Sequence, residues 1–159
     1  MMSILVDWKV NAGDRRIQMA LTLFRLAGSV RRPTSRCPGP VARLVSALYT
    51  FLVEWMWGIE LPWATTVGPR LRIFHGTGLV VNADARLGAD VVLRQGVCIG
   101  SRHDGGPSPV IGDGVAFGAA SLVLGGIRLG DSSAIGAGAV VLVDVPDHGR
   151  MVGNPARLL

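Results

Sequence analysis

The sequence predicts an all-β core, a parallel β-helix of hexapeptide repeats, behind a short N-terminal α-helical segment. Three observations lead there. Bulky apolar residues recur every six positions after Gly58. Glycine is abundant, at 22 of 159 residues, while 49% of the chain is hydrophobic, which suits an ordered fold with many turns rather than disorder. The few aromatic residues lie mostly before Phe74, where the apolar spacing is helical.

In Asp14–Val30, Ile17, Leu21 and Phe24 recur at i, i+4 and i+7, and Asp14 is placed to cap the helix. Arg32 to Pro40 is a breaker stretch with three prolines. A second helical pattern covers about 41–57, with Leu44, Leu48, Phe51, Leu52 and Trp55 along one face. These stripes are expected to pack on the repeat region or on another subunit, in preference to lying on a membrane. The expected division is a helical segment over 1–58, repeats over 59–147 and a C-terminal tail over 148–159.

The repeats run through Leu61, Val67, Ile73, Leu79, Ala85, Val91 and Val97, then resume at Ile111, Phe117, Val123, Leu129, Ile135 and Val141. A period of six fits short strands joined by corners, with the bulky residue pointing inward and stacking on its equivalents above and below. Three hexads make one triangular coil, so thirteen give a little over four. Val97 and Ile111 are fourteen apart, which is no multiple of six. A loop near 102–109 is therefore expected to leave the coil, carrying Arg102, His103, Asp104 and two glycines.

The net charge is +5, with eight Lys or Arg against four Asp or Glu in residues 1–60 and near balance afterwards. The repeats carry no basic stripe interleaved with aromatics, which argues against nucleic acid. The early arginines suit a solvated face, an acidic partner or an anionic membrane. Cys37 and Cys98 make neither a metal pair nor a disulfide framework. With no secretory signal and no spanning apolar run in view, a cytoplasmic protein is expected, with peripheral membrane contact through the N-terminal helices as an option.

Three histidines are present, at 75, 103 and 148. His75 is the third residue of its hexad, so it should lie near a corner, and Gly76 and Gly78 allow close approach of a ligand or chain. Gly58-Ile59-Glu60-Leu61-Pro62, then His75-Gly76-Thr77-Gly78-Leu79-Val80-Val81, resembles the serine acetyltransferases, and still more the colanic-acid-type exopolysaccharide acetyltransferases. Glu60 stands fifteen residues before His75, where those families carry a carboxylate. The tail Val152-Gly153-Asn154-Pro155-Ala156-Arg157 is similar to their closing motif.

The resemblance implies a left-handed β-helix, a homotrimer with sites between subunits, and acetyl-CoA as co-substrate with no metal. It implies that His75 is general base toward an acceptor hydroxyl and that Glu60 orients the ring. Backbone N–H groups near Gly76–Gly78 are candidate oxyanion donors. Gly100, Ser101, Gly118, Ala119 and Ala137 are the candidate acetyl-CoA contacts, and Arg157 could meet a CoA phosphate. Phe74, Arg102 and His103 are the candidate acceptor contacts.

Two departures bear on the acceptor. Serine acetyltransferases carry Asp before the catalytic His, where this chain has Phe74, and an Arg-His pair before the re-entry proline, where Ser108 precedes Pro109. The expected reaction is therefore O-acetylation of a sugar or glycoconjugate, with serine O-acetylation as the alternative. A zinc hydratase would need histidines in neighbouring hexads, and 75, 103 and 148 are not. A non-catalytic scaffold would not need the Glu60–His75 pair.

Overall fold

The computed structural model describes residues 3–30 and 39–159. Cys37 and most of the breaker stretch lie outside the described residues. From Ile59 onward the chain winds left-handed through about five triangular turns. The first face stacks β1 (Ile59–Glu60), β4 (Leu79–Val81), β7 (Cys98–Gly100), β10 (Leu122–Leu124) and β13 (Val140–Val141). The second stacks β2 (Thr66–Val67), β5 (Arg86–Leu87), β8 (Val110–Ile111) and β11 (Arg128–Leu129). The third stacks β3 (Arg72–Phe74), β6 (Val92–Arg94), β9 (Ala116–Phe117), β12 (Ala134–Ile135) and β14 (Arg150–Gly153), closed by antiparallel β15 (Ala156–Leu158). The chain after His148 thus stays on the prism.

All thirteen hexad-leading residues are buried. They do not share one register. Strand alternation gives each arm two inward positions, the strand centre and the residue two before it. Val67 and Ile73 pair as strand centres with Leu87 and Leu93. Leu79, Ala85, Val91 and Val97 occupy the earlier position, ahead of Val81, Leu87, Leu93 and Ile99. The slip that the sequence spacing assigns to Val97–Ile111 therefore sits between Ile73 and Val81, where the turn holds two surplus residues. Ile99 to Ile111 is twelve, so the loop still leaves the coil, but as one whole hexad.

The N-terminal segment is a cap. A β-helix ends in strands whose outer N–H and C=O groups have no next coil to bond, an exposed edge that must be covered. Here each face has its own cover. On β3, the Asp7 carboxylate accepts the Leu71 N–H at 2.9 Å. Asn11 accepts the Ile73 N–H at 3.0 Å and donates to the Leu71 carbonyl at 2.8 Å. After β2, Arg25 donates to the carbonyls of Val67 and Gly68 at 2.7 and 2.6 Å, while its ion pair with Asp7 at 2.8 Å holds it there. After β1, the Tyr49 hydroxyl donates to the Leu61 carbonyl.

Helix α1 (Arg15–Val30) starts as expected, with Asp14 accepting the Ile17 N–H at 3.1 Å. Its Ile17, Leu21 and Phe24 join the same core as the coils. Helix α2 (Pro40–Tyr49) continues as a π-helix over Thr50–Met56. Of the stripe expected to pack on the repeats or on another subunit, Leu52 packs on the core and the other four residues face outward within this chain. Ala42, Tyr49 and Val53 are buried, whereas Leu44 is 71% and Trp55 78% exposed, with Leu48 and Phe51 also outward. Both faces of α2 carry apolar residues at helical spacing, and the one that packs inward is Ala42, Val45 and Tyr49, so the 3.6-residue pattern alone does not select between them. Among the described residues no helix is long and apolar enough to cross a membrane.

Asn11→Ala would strand the Ile73 N–H and the Leu71 carbonyl in a buried place. It should destabilise the fold by about 1–3 kcal/mol, read from denaturant unfolding at fixed protein concentration. Unchanged stability would show that water can replace the cap.

Candidate active site

Left-handed backbone runs down two edges of the prism. Where the third face turns into the first, Gly58, Gly78, Gly96, Ala120 and Gly138 all have positive φ. Where the second turns into the third, Arg70, Asp90, Gly114, Ser132 and His148 do the same. His75, at φ 60°, is the one positive-φ non-glycine residue outside these two files among the described residues. It lies in the turn with the two surplus residues, on the third–first edge.

The turn is built to hold that shape. The Thr77 N–H doubles back on the His75 carbonyl, which also accepts from Arg16 at 3.4 Å. Gly76 has φ +22°, and a Cβ there would lie 2.7 Å from Ile59 Cδ1 and 3.1 Å from Ile17 Cδ1. So this buried glycine presses on both the first coil and α1 and turns the His75 side chain outward. The Gly78 N–H is donated to the Gly58 carbonyl at 2.8 Å. Of the candidate oxyanion donors, the Thr77 N–H is thus engaged within the turn and the Gly78 N–H by Gly58 at the head of the first coil.

Glu60 projects outward from β1 on the first face, two residues past Gly58 and in register with Val80 of the coil below. No hydrogen bond joins it to His75 among the described residues. Its charge is felt nearby. Burial and then the Glu60 carboxylate push up the Glu54 carboxyl, which a hydrogen bond from Thr50 partly offsets. Burial and then Glu60 likewise push the Cys98 thiol up.

Phe74 does not present an open apolar platform. The guanidinium carbons of Arg72 and Arg94 lie 4.4 and 4.7 Å from its ring centroid. A cleft beside His75 is lined by Asn11, Gly13, Asp14, Arg72 and Phe74, so the cap forms one wall of it. Sequence reasoning missed Arg16, Arg72 and Arg94.

The other candidates divide between edges. Gly118, Ala119 and Ala137 lie on the third–first edge below His75, where Ala120 N–H bonds to Gln95 and Gly138 N–H to Ala119, each at 2.9 Å. Gly118 is small because a Cβ would meet the Ala137 nitrogen at 2.4 Å. Gly100 and Ser101 end β7 on the first–second edge, and a Cβ on Gly100 would meet only Leu124, at 4.0 Å. Arg102 is turned down as a staple, donating to the carbonyls of Leu124, at 3.2 Å, and Leu142. Exposed His103 sits in the same loop, Nδ1 lying 3.4 Å from the Asp104 carbonyl. Within one chain these loop residues stand on a different edge from His75. Arg157 is exposed opposite Val152 in the closing hairpin. The three histidines occupy three different edges, and no metal-sized cluster of His, Cys, Asp or Glu occurs among the described residues.

No protein-family model matches the chain. It is 37% identical over 158 residues to the putative colanic acid biosynthesis acetyltransferase WcaB of Escherichia coli K12, covering 98% of both chains. It is 38% identical over 121 residues to the serine acetyltransferase of Bacillus pumilus, covering 75% of this chain and 54% of that one. The structure of soybean serine acetyltransferase complexed with serine superposes with a TM-score of 0.83 at 29% identity, over 98% of this chain and 68% of that one. With a full-length relative at that identity and the same coiled fold, the chain belongs to the hexapeptide-repeat acyltransferases, in the group of WcaB and the serine acetyltransferases, and is an acetyl-CoA-dependent O-acetyltransferase.

Proposed function

We propose that the acceptor is a hydroxyl of a sugar or glycoconjugate and that His75 is the general base. The observation that carries this reading is the position of His75. It is the exposed residue of the surplus turn, at the head of the edge that carries Gly118, Ala119 and Ala137, with Glu60 outward on the adjoining first face. WcaB, alike over its whole length and named for colanic acid biosynthesis, supports the saccharide acceptor. Phe74, in place of the family's carboxylate, disfavours the ammonium group of serine.

The reaction runs in two proton transfers. A neutral imidazole nitrogen of His75 takes the proton of the acceptor hydroxyl as its oxygen attacks the thioester carbonyl. The tetrahedral adduct collapses, the C–S bond breaks, and the imidazolium returns the proton to the CoA sulfur. The acceptor leaves acetylated. Glu60 stabilises the imidazolium that forms between the two steps, accepting from the second ring nitrogen and fixing its tautomer in the complex with acceptor and donor. The acetyl-CoA arm lies along Gly118, Ala119 and Ala137, with Arg157 near the far end for a phosphate.

The oligomer follows from the same surface. The outward stripe of the first face reads Glu60, Val80, Cys98, Leu122 and Val140, apolar below the carboxylate. Placed toward a three-fold axis, that face would bring the third–first edge of one subunit against the first–second edge of the next. His75 would then meet a neighbour's Gly100, Ser101 and His103, which accounts for the split of candidates between edges. We assign the protein to the cytoplasm, with the exposed Leu44–Trp55 stripe available for peripheral contact with a membrane.

His75→Ala should lower kcat by about a hundred- to ten-thousand-fold with little change in acetyl-CoA KM, and Glu60→Gln should lose less. The measurement is thiol release against a panel of sugars, nucleotide sugars, serine and homoserine. Retained kcat in His75→Ala on the preferred acceptor would make His75 structural, and preference for serine would overturn the saccharide reading. Activity should also fall toward acid pH, since a protonated imidazole accepts no proton.

Light scattering should give a trimer mass, and flotation with anionic vesicles should require residues 1–57. An active monomer would refute the shared site, and flotation without those residues would exclude the helices as the contact.

A further inference from the structure

The third face beside His75 carries an arrangement that general-base chemistry does not use. Arg72 and Phe74 project outward from β3, and Arg94 projects from β6 directly opposite Phe74 in register. Both guanidinium groups stack on the one ring, at 4.4 and 4.7 Å. Other arginines of this region are already engaged. Arg25 is paired with Asp7, Arg70 with Asp90, and Arg16 donates to the His75 carbonyl. Arg72 and Arg94 form no ion pair or side-chain hydrogen bond among the described residues. Two like charges held on one ring repel each other, and an anion between them would offset that repulsion. Stacking fixes the planes of the groups while leaving their N–H edges free, and the guanidinium fork matches the oxygens of a carboxylate or phosphate. The carboxylates lining the two clefts on Arg72 are already engaged, Asp14 as the cap of α1, accepting the Ile17 N–H, and Asp90 in its ion pair with Arg70.

We propose that Arg72 and Arg94, aligned by Phe74, form an anion subsite of the acceptor, so that the hydroxyl acetylated at His75 belongs to a saccharide carrying a carboxylate or a phosphate. This rests on the reading of His75 as base. The subsite lies on the third face in the first two coils, away from the line of Gly118, Ala119 and Ala137 assigned to the donor. It belongs to the acceptor for that reason. The position where serine acetyltransferases carry Asp is here the ring that holds two cations, so the local charge preference is reversed.

The test is calorimetric titration of the full chain with glucuronate, glucose 1-phosphate and glucose, the first two arms separating carboxylate from phosphate. At least one anion should bind ten times or more tighter than glucose. The Arg72→Gln/Arg94→Gln double variant should weaken that binding by about ten- to a hundredfold, and each single variant should give a part of the loss. Phe74→Leu, which keeps both charges but not the stacking, should fall between wild type and the double variant. The proposal is overturned if neither anion outbinds glucose, if the double variant binds both as wild type does, or if its loss falls on acetyl-CoA instead. His75→Ala separates the two readings. It should bind the anion normally, and if it also keeps its turnover, the base assignment falls while the anion subsite stands.

Discussion

The structure depends on one constraint: every backbone N–H and C=O of a coil must meet its partner in the coils above and below. In a triangular coil of hexads that fixes the length at eighteen residues, as between Val81 and Ile99 or Val123 and Val141. Any surplus must be expelled at a corner, because a strand carrying it would lose its register and turn its inward side chains to solvent. Two places expel residues. The first coil is two residues too long and sheds them at His75–Gly78, and the hexad of 24-residue spacing between Ile99 and Val123 leaves as the loop after Ser101. The candidate base and the candidate acceptor loop are thus the parts of the chain that the ladder does not claim.

The same demand shapes the upper end. With no coil above β1, β2 and β3, their free edges are met by Tyr49, Arg25, Asp7 and Asn11. The cap also reaches the site. Ile17 walls Gly76, and Arg16 binds the carbonyl of His75, so the helix that closes the core presses on the turn that presents the base. Basic residues early in the chain are in part structural for this reason. Arg25, which sequence charge alone would leave free for a membrane or an acidic partner, is bound to Asp7 and to two backbone carbonyls.

The coils were legible because side-chain period and backbone period coincide, and the inward direction of Leu61 through Val141 needs nothing but spacing. Glu60 and His75 were legible through the family pattern, fifteen residues apart. The register slip was not, since Leu79 and Val81 are both apolar and either can continue the series. That error also hid Arg94. An eighteen-residue coil sets Phe74 beside Val92, whereas the twenty-residue first coil sets it beside Arg94. The cap was hidden for a different reason. Asp7 and Asn11 reach strands some sixty residues away, and no local pattern encodes a side chain that stands in for a missing strand. The outward turn of Leu44 and Leu48 was hidden because α2 also carries Ala42, Val45 and Tyr49 at helical spacing, and period alone does not say which apolar face meets the core.

The central claim is that the surplus turn, and not the mere presence of histidine, makes the site. The most direct measurement is kcat of Gly76→Ala on the acceptor that wild type prefers, taken together with its unfolding midpoint and acetyl-CoA KM. A Cβ at this position meets Ile59 and Ile17, so the turn must shift and carry His75 with it. Displacement of a catalytic group by about 1 Å costs on the order of a hundredfold in rate. The account predicts a kcat loss of that order with the coils folded and the acetyl-CoA KM near wild type. A folded Gly76→Ala protein with wild-type kcat would contradict it.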